Sequence, residues 1–335
     1  MTTTFPAATV IDLSGTHAPD DSQGPIHLSV HDTGGGEDRP PVVFVHGFPE
    51  LGYSWRHQLP EVAGAGFRAI APDMRGYGGS SRPDDISAYG LGNLCGDLAD
   101  LLDALEIDRA IFVGHDWGGF VAWGMPVLFP DRCAGVAGVC TPYTPFPGTD
   151  VLRMLAGGDD DALYMLWFQE PGVAEAVIDR TPRLLFEKLM RSGVDPSELL
   201  ARQAADGGTM DMNPFRRLPE LDSFGELIAT EDVVEHYGTV FAETGFRGGI
   251  NWYRNIDANA AAHPEIGSKV LDLPTLMLCA EWDPALSPAL AANMPNVCTD
   301  LEMHTIERAG HWVQQECPDQ LNALLVDWLV RRFGS

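Results

Sequence analysis

Gly114-His115-Asp116-Trp117-Gly118 stands where an apolar run, Ala110–Val113, gives way to the helical spacing of Gly118–Phe129. A strand-to-helix turn of this kind lifts its central side chain clear of the sheet, and glycines on either side relieve the crowding. In the plainer reading Asp116 is a helix N-cap. Two residues further along tip the balance. Asp283 follows the strand-like run Thr275–Ala280, and His311 follows a second expected strand near Leu301–Ile306. The order is nucleophile, acid, histidine, with spacings 283 − 116 = 167 and 311 − 283 = 28. A carboxylate attacks an sp³ carbon bearing a leaving group and forms an ester on the protein. A histidine base must then activate water to hydrolyse it. Halide and the oxygen of a strained epoxide ring are the leaving groups that fit. His46-Gly47-Phe48-Pro49 ends an earlier strand. A sharp turn there is expected to bring the Phe48 N–H beside that of Trp117 as an oxyanion hole for the second step.

These residues need a frame. Thr9–Leu13 and Ile26–His31 read as two strands joined by a Gly/Pro/Asp-rich loop. Val42–Val45 and Phe67–Ala71 are short apolar runs, and Trp55–Ala63 between them has helical spacing. Leu94, Leu98, Leu101, Leu102 and Leu105 share one helical face. Val136–Cys140 is a further strand, and Gln320–Phe333 a closing helix. Strands alternating with helices imply an α/β protein with a mostly parallel sheet flanked by helices. The rhythm breaks after Pro142. Residues 143–259 show helical patterns without a convincing buried strand, so the expected organisation is a core of residues 1–142 and 260–335 with a helical insertion. Pro126 falls inside the helix after Asp116, where it deletes a hydrogen bond and predicts a kink.

Composition excludes several classes. The 335 residues are 45% apolar and 21% charged, as in globular proteins. There are 48 acidic residues against 21 basic ones, a formal net charge of −27. A surface so acidic repels phosphate backbones and anionic lipid, so neither nucleic acid nor a membrane is an expected partner. No stretch approaches 18 uninterrupted apolar residues, and the N-terminus lacks a basic segment followed by an apolar one. Six cysteines show no C-x-x-C pair, which predicts reduced thiols and a cytoplasmic location. No metal or other cofactor is expected: Gly34-Gly35-Gly36 is not followed by a phosphate-binding Lys-Ser/Thr, and no H-E-x-x-H occurs.

The chain resembles the epoxide hydrolases of the α/β-hydrolase superfamily, in the soluble epoxide hydrolase branch. The resemblance is carried by HGFPE at His46–Glu50, DMRGYG at Asp73–Gly78, GHDWGG at Gly114–Gly119, WFQEPGVAEA at Trp167–Ala176 and GFRGGINWYRN at Gly245–Asn255, with Ala280–Asp283 and Gly310–Trp312. These segments run in order from about residue 26 to 330, the insertion included. The resemblance implies an α/β-hydrolase fold whose insertion, 143–259, is a lid, and a role in epoxide detoxification. It implies that Asp116, Asp283 and His311 form the catalytic triad and that Tyr164 and Tyr253 hold the epoxide oxygen. Two phenols suit that task, because each can donate to the ring oxygen and protonate the alkoxide at neutral pH. A lipophilic pocket including Phe48, Trp117, Trp167 and Trp312 is expected to take a small lipophilic epoxide. Trp167 stands where the family often has Tyr, and the phosphatase-like domain of larger members is not expected to contribute an activity here.

Two rival readings share the residues. A haloalkane-type dehalogenase uses the same aspartyl ester, but its halide asks for side-chain N–H donors, often an Asn at the position of Phe48. A non-catalytic receptor on the same fold would need neither the triad nor the tyrosine pair. The sequence leaves the physiological epoxide open, along with the carbon attacked, the enantiopreference and the choice between monomer and homodimer.

Overall fold

A computed structural model describes residues 5–18, 24–36, 38–205 and 212–334. Eight strands form one sheet: β1 (Ala8–Asp12), β2 (His27–Asp32), β3 (Val42–Val45), β4 (Ala69–Asp73), β5 (Ala110–His115), β6 (Cys133–Val139), β7 (Leu271–Ala280) and β8 (Cys298–Ile306). Their order across the sheet is β1-β2-β4-β3-β5-β6-β7-β8. The pairs β1/β2 and β2/β4 are antiparallel and all later pairs are parallel. The expected α/β-hydrolase architecture is therefore present, with the antiparallel pairing confined to one edge.

The central strands β3, β4 and β5 are buried at every position because both faces are covered. Alternate residues point to opposite sides. Val42 and Phe44 pack with Leu59 and Val62 of α1 (Gln58–Gly64) and with Leu321, Leu325 and Trp328 near the C-terminus. Val43 and Val45 face Leu94 and Leu98 of α2 (Leu91–Ala104) and Val121 and Met125 of α3 (Trp117–Leu128). Pro126 lies within α3, which continues through it to Leu128.

Between β6 and β7 the described residues contain helices and no sheet strand: α4 (Thr149–Leu155), α5 (Tyr164–Trp167), α6 (Glu175–Ile178), α7 (Pro182–Leu189), α8 (Pro196–Ala205), α9 (Glu231–Thr244), α10 (Arg247–Arg254) and α11 (Ile256–Ala262). Their buried faces join the same apolar cluster as α2 and α3, through Leu166, Phe168, Phe186, Tyr237, Phe241 and Trp252. The chain then returns to β7, passes α12 (Met294–Val297) into β8, and ends with α13 (Val313–Glu316) and α14 (Pro318–Phe333).

Candidate active site

Asp116 sits in the turn from β5 to α3 with φ 52 and ψ −124, a conformation that non-glycine residues rarely adopt. The turn closes because its neighbours lack side chains. A Cβ on Gly118 would land on the Val45 carbonyl, and one on Gly47 would strike the Asp116 side chain. The Thr141 hydroxyl donates to the Asp116 carbonyl at 2.7 Å and ties the turn to the end of β6.

The two carboxylate oxygens of Asp116 have different surroundings. Oδ1 accepts the Phe48 N–H at 2.8 Å, and the Trp117 N–H helps to favour the ionised form of this carboxylate. The Phe48-Pro49 peptide is cis, and the amides of Phe48 and Trp117 both favour the charged Asp116 carboxylate. Oδ2 faces His311 Nε2 at 3.7 Å. The other ring nitrogen, Nδ1, bonds to Asp283 Oδ2 at 2.8 Å. Asp283 Oδ1 accepts the N–H groups of Ala285 and Leu286 at 2.8 and 2.9 Å, so the acid is fixed before it fixes the imidazole.

Above this row lie the two tyrosines. The Tyr253 ring, on α10, is 5.0 Å from Trp117 and 5.3 Å from Phe48, and the Tyr164 ring, on α5, is 5.6 Å from it. Their hydroxyls are close enough to influence each other's acidity. The structure thus brings Phe48, Asp116, Trp117, Tyr164, Tyr253, Asp283 and His311 together. Trp312 meets His311 edge to face with ring centroids 4.9 Å apart, but its indole N–H is spent on the Leu189 carbonyl at 2.6 Å. The ring contact of Trp167 is with Phe168 at 5.9 Å.

Residues 40–170 match the model of the α/β-hydrolase fold family. Epoxide hydrolase A of Mycobacterium tuberculosis is 40% identical over 299 residues, covering 87% of this chain and 90% of that protein. The chain belongs to the epoxide hydrolase family. Bifunctional epoxide hydrolase 2 of Mus musculus is 39% identical over 292 residues, which are 87% of this epoxide hydrolase and 51% of the mouse protein. The chain thus spans about half the length of that bifunctional relative. The crystal structure of epoxide hydrolase A from Mycobacterium thermoresistibile superposes with a TM-score of 0.83 at 37% identity, covering 98% and 99% of the two chains. These relatives favour neither the dehalogenase nor the receptor.

The electrostatics of this epoxide hydrolase follow from burial and from three facing charges. Burial raises the Asp116 carboxyl above its ordinary range, and His311 and His115 work against that rise. Burial alone would lower His311. The Asp283 carboxylate and its hydrogen bond, followed by Asp116, outweigh it and hold the imidazole at about 9. Asp283 is correspondingly held well below the carboxylate range: burial opposes ionisation, but His311 and two backbone N–H groups dominate. Burial raises both tyrosines, followed at Tyr164 by the charge of Asp116 and at Tyr253 by Tyr164 and then Asp116, which keeps them neutral donors.

Sequence reasoning left a polar network beneath the site unassigned. His115 Nδ1 meets Glu50 Oε2 at 2.7 Å and Nε2 meets the His311 carbonyl at 2.8 Å. Both of these partners are acceptors, and Gln314 Nε2, a donor, also lies 3.1 Å from Nδ1. Glu50 is also bonded by Gln314 at 2.7 Å and by Ser54, and His115 with Ser54 holds its carboxyl down to about 2 against the cost of burial. The aromatic walls were missed as well: Phe168 and Phe215 pack on Phe48, and Phe120 and Phe146 on Trp117. Among the described residues, His115, Cys140 and His311 offer ligand atoms within 4.8 Å of one another. Both ring nitrogens of His115, however, and Nδ1 of His311 are already committed to other bonds.

Proposed function

We propose that Asp116 Oδ2 attacks one carbon of a small lipophilic epoxide and that His311 and Asp283 then drive hydrolysis of the resulting ester to a vicinal diol. The observation that carries this reading is the asymmetry of Asp116. One oxygen is held by the Phe48 amide, and the other is turned toward His311 Nε2 at 3.7 Å. In the first step the C–Oδ2 bond forms and the ring C–O bond breaks, and the alkoxide takes a proton from the Tyr164–Tyr253 pair. Loss of the Asp116 charge removes one of the groups that raised those phenols, so they become stronger acids as the alkoxide develops. In the second step His311 takes a proton from water, and water adds to the ester carbon. Negative charge then gathers on Oδ1, where the Phe48 N–H already points, with the Trp117 N–H beside the same carboxyl. The acyl C–Oδ2 bond breaks, the diol leaves with Oδ2 and the proton from His311, and the proton left on the carboxyl restores the phenol.

We also assign residues 143–259 as the lid, since Tyr164 and Tyr253 descend from its helices toward Asp116. The aromatic walls fit an apolar substrate. Among the described residues no helix is long and apolar enough to cross a membrane. All six cysteines are free, in keeping with a cytoplasmic location.

The test is isotopic. In oxygen-18 water, a single turnover with enzyme in excess is expected to give unlabelled diol, the new oxygen coming from Asp116. Diol labelled in that first turnover overturns the covalent route and makes Asp116 a base for direct attack by water.

A pH experiment separates the two steps. Esterification removes the Asp116 charge that helps to raise His311, so the imidazole must titrate lower in the ester than in the free enzyme. A base works only when unprotonated, so ester hydrolysis should rise with pH through a midpoint below about 9, the free-enzyme value. Rapid-quench rates set beside an NMR titration of His311 check this. A hydrolysis midpoint at or above that of the free imidazole contradicts the assignment of His311 as base.

A further inference from the structure

We propose that Arg254, together with Gln169, is a positioning residue for the tyrosine pair, locking the turn that carries Tyr164 to the helix that carries Tyr253. The inference rests on the role given to those tyrosines above. α5 is four residues long, too short to hold a side chain in place by its own helical bonds. Its position has to come from outside. Arg254 supplies it from the residue next to Tyr253, with a side chain only 3% exposed.

Each of the five N–H donors of Arg254 meets an acceptor. Nε donates to the Phe168 carbonyl at 2.8 Å. Nη1 donates to Glu175 Oε1 at 2.7 Å and Asn251 Oδ1 at 2.8 Å, and Nη2 to Glu175 Oε2 at 3.1 Å and the Glu170 carbonyl at 3.2 Å. Glu175 Oε2 also accepts the Gly172 N–H at 3.0 Å, which closes the loop on itself. A reciprocal bond runs the other way: Gln169 Nε2 donates to the Tyr253 carbonyl at 3.0 Å and to the Met165 carbonyl at 2.8 Å. Between these crossed bonds the Phe168 ring lies 5.1 Å from Tyr253 and 5.5 Å from Tyr164.

Apolar packing alone could hold the two segments together, and a buried guanidinium is costly unless every donor is used. Directional bonds in a planar fork add a fixed distance and angle between the elements. Two phenols that must reach one ring oxygen need such a fixed separation, because a displacement of about 1 Å can cost roughly 10²-fold in rate.

The experiment isolates ring opening in a His311→Gln background, where the ester formed from styrene oxide accumulates and intact mass reports its rate of appearance. Arg254→Lys keeps the charge and loses the fork, and is expected to slow ester formation by about 10- to 100-fold. Gln169→Leu, which leaves the Arg254–Glu175 pair in place, should slow it several-fold and serves if the arginine variant does not fold. With His311 intact, decay of the preformed ester should stay within about 2-fold of the parent. In a Tyr253→Phe background, Arg254→Lys should have little further effect, since residues acting through one group are not additive. Equal slowing with and without Tyr253, or equal slowing of both chemical steps, overturns the inference and leaves Arg254 a fold-stabilising residue. A Tyr253→Phe enzyme that forms ester at the parental rate overturns the tyrosine reading itself. Slow ester formation in Tyr253→Phe beside parental rates in Arg254→Lys and Gln169→Leu overturns the positioning role alone.

Discussion

Replacing His311 with Gln should stop the enzyme after one equivalent of substrate, with Asp116 heavier by the mass of the epoxide. The first step asks nothing of the imidazole as a base, because Asp116 attacks as a carboxylate. The second step has no substitute for it. Water is a poor nucleophile until its proton is taken, and a positioned base contributes roughly 10² to 10⁴ in rate. Some slowing of ring opening is expected as well, since His311 is the leading group that offsets the burial of the Asp116 charge. Asp283→Asn should act in the same direction but less completely. It removes the group that orients Nδ1 at 2.8 Å and favours the imidazolium, while a ring nitrogen remains near the ester. Intact-protein mass spectrometry with peptide mapping reads the result. An unmodified Asp116 beside sustained diol formation in His311→Gln excludes the two-step route.

The double variant Tyr164→Phe/Tyr253→Phe should lose ring opening by about 10³-fold or more, while ester already formed is hydrolysed at close to the parental rate. A strained ring still needs a proton for its departing oxygen, and no other donor has been placed opposite Asp116. Stability should follow an unusual order. The two hydroxyls neighbour each other in a buried site. Removing one strands its partner, whereas removing both leaves no unpaired group, and replacing both partners can be nearly neutral. The double variant is therefore expected to melt at or above the temperature of the single variants. Rapid-quench kinetics and thermal unfolding check the two halves of this prediction. Near-parental ester formation in the double variant would remove the tyrosines from the reaction.

The frame and the row Asp116–His311–Asp283 were legible because each depends on local pattern. A strand, a glycine-flanked turn and a helix are contiguous in sequence, and an acid and a histidine just beyond later strands fall at the same end of a parallel sheet. Strand limits were less legible. β7 starts at Leu271 rather than Thr275, because Pro274 lacks an N–H and the register shifts between Leu271 and Pro274 before regular pairing resumes. Glu50 and Gln314 could not be read as network members, since charged and amide residues are surface residues by default. Only the fold carries Glu50, His115 and Gln314 to one buried point. The same holds for Phe168 and Phe215, which lie in segments too short and irregular for a periodic signal, and for Arg254, whose five acceptors come from four residues in two segments.

The unequal surroundings of the two Asp116 oxygens give the side chain a history. In the proposed cycle the oxygen facing His311 departs inside every molecule of product and is replaced from solvent. The oxygen under the Phe48 amide is never released, provided the carboxylate does not turn over between cycles, and that backbone donor opposes the rotation. One oxygen of this carboxylate would then date from the synthesis of the protein, and the other from its last turnover. Half of the nucleophile is a consumable, and half is permanent.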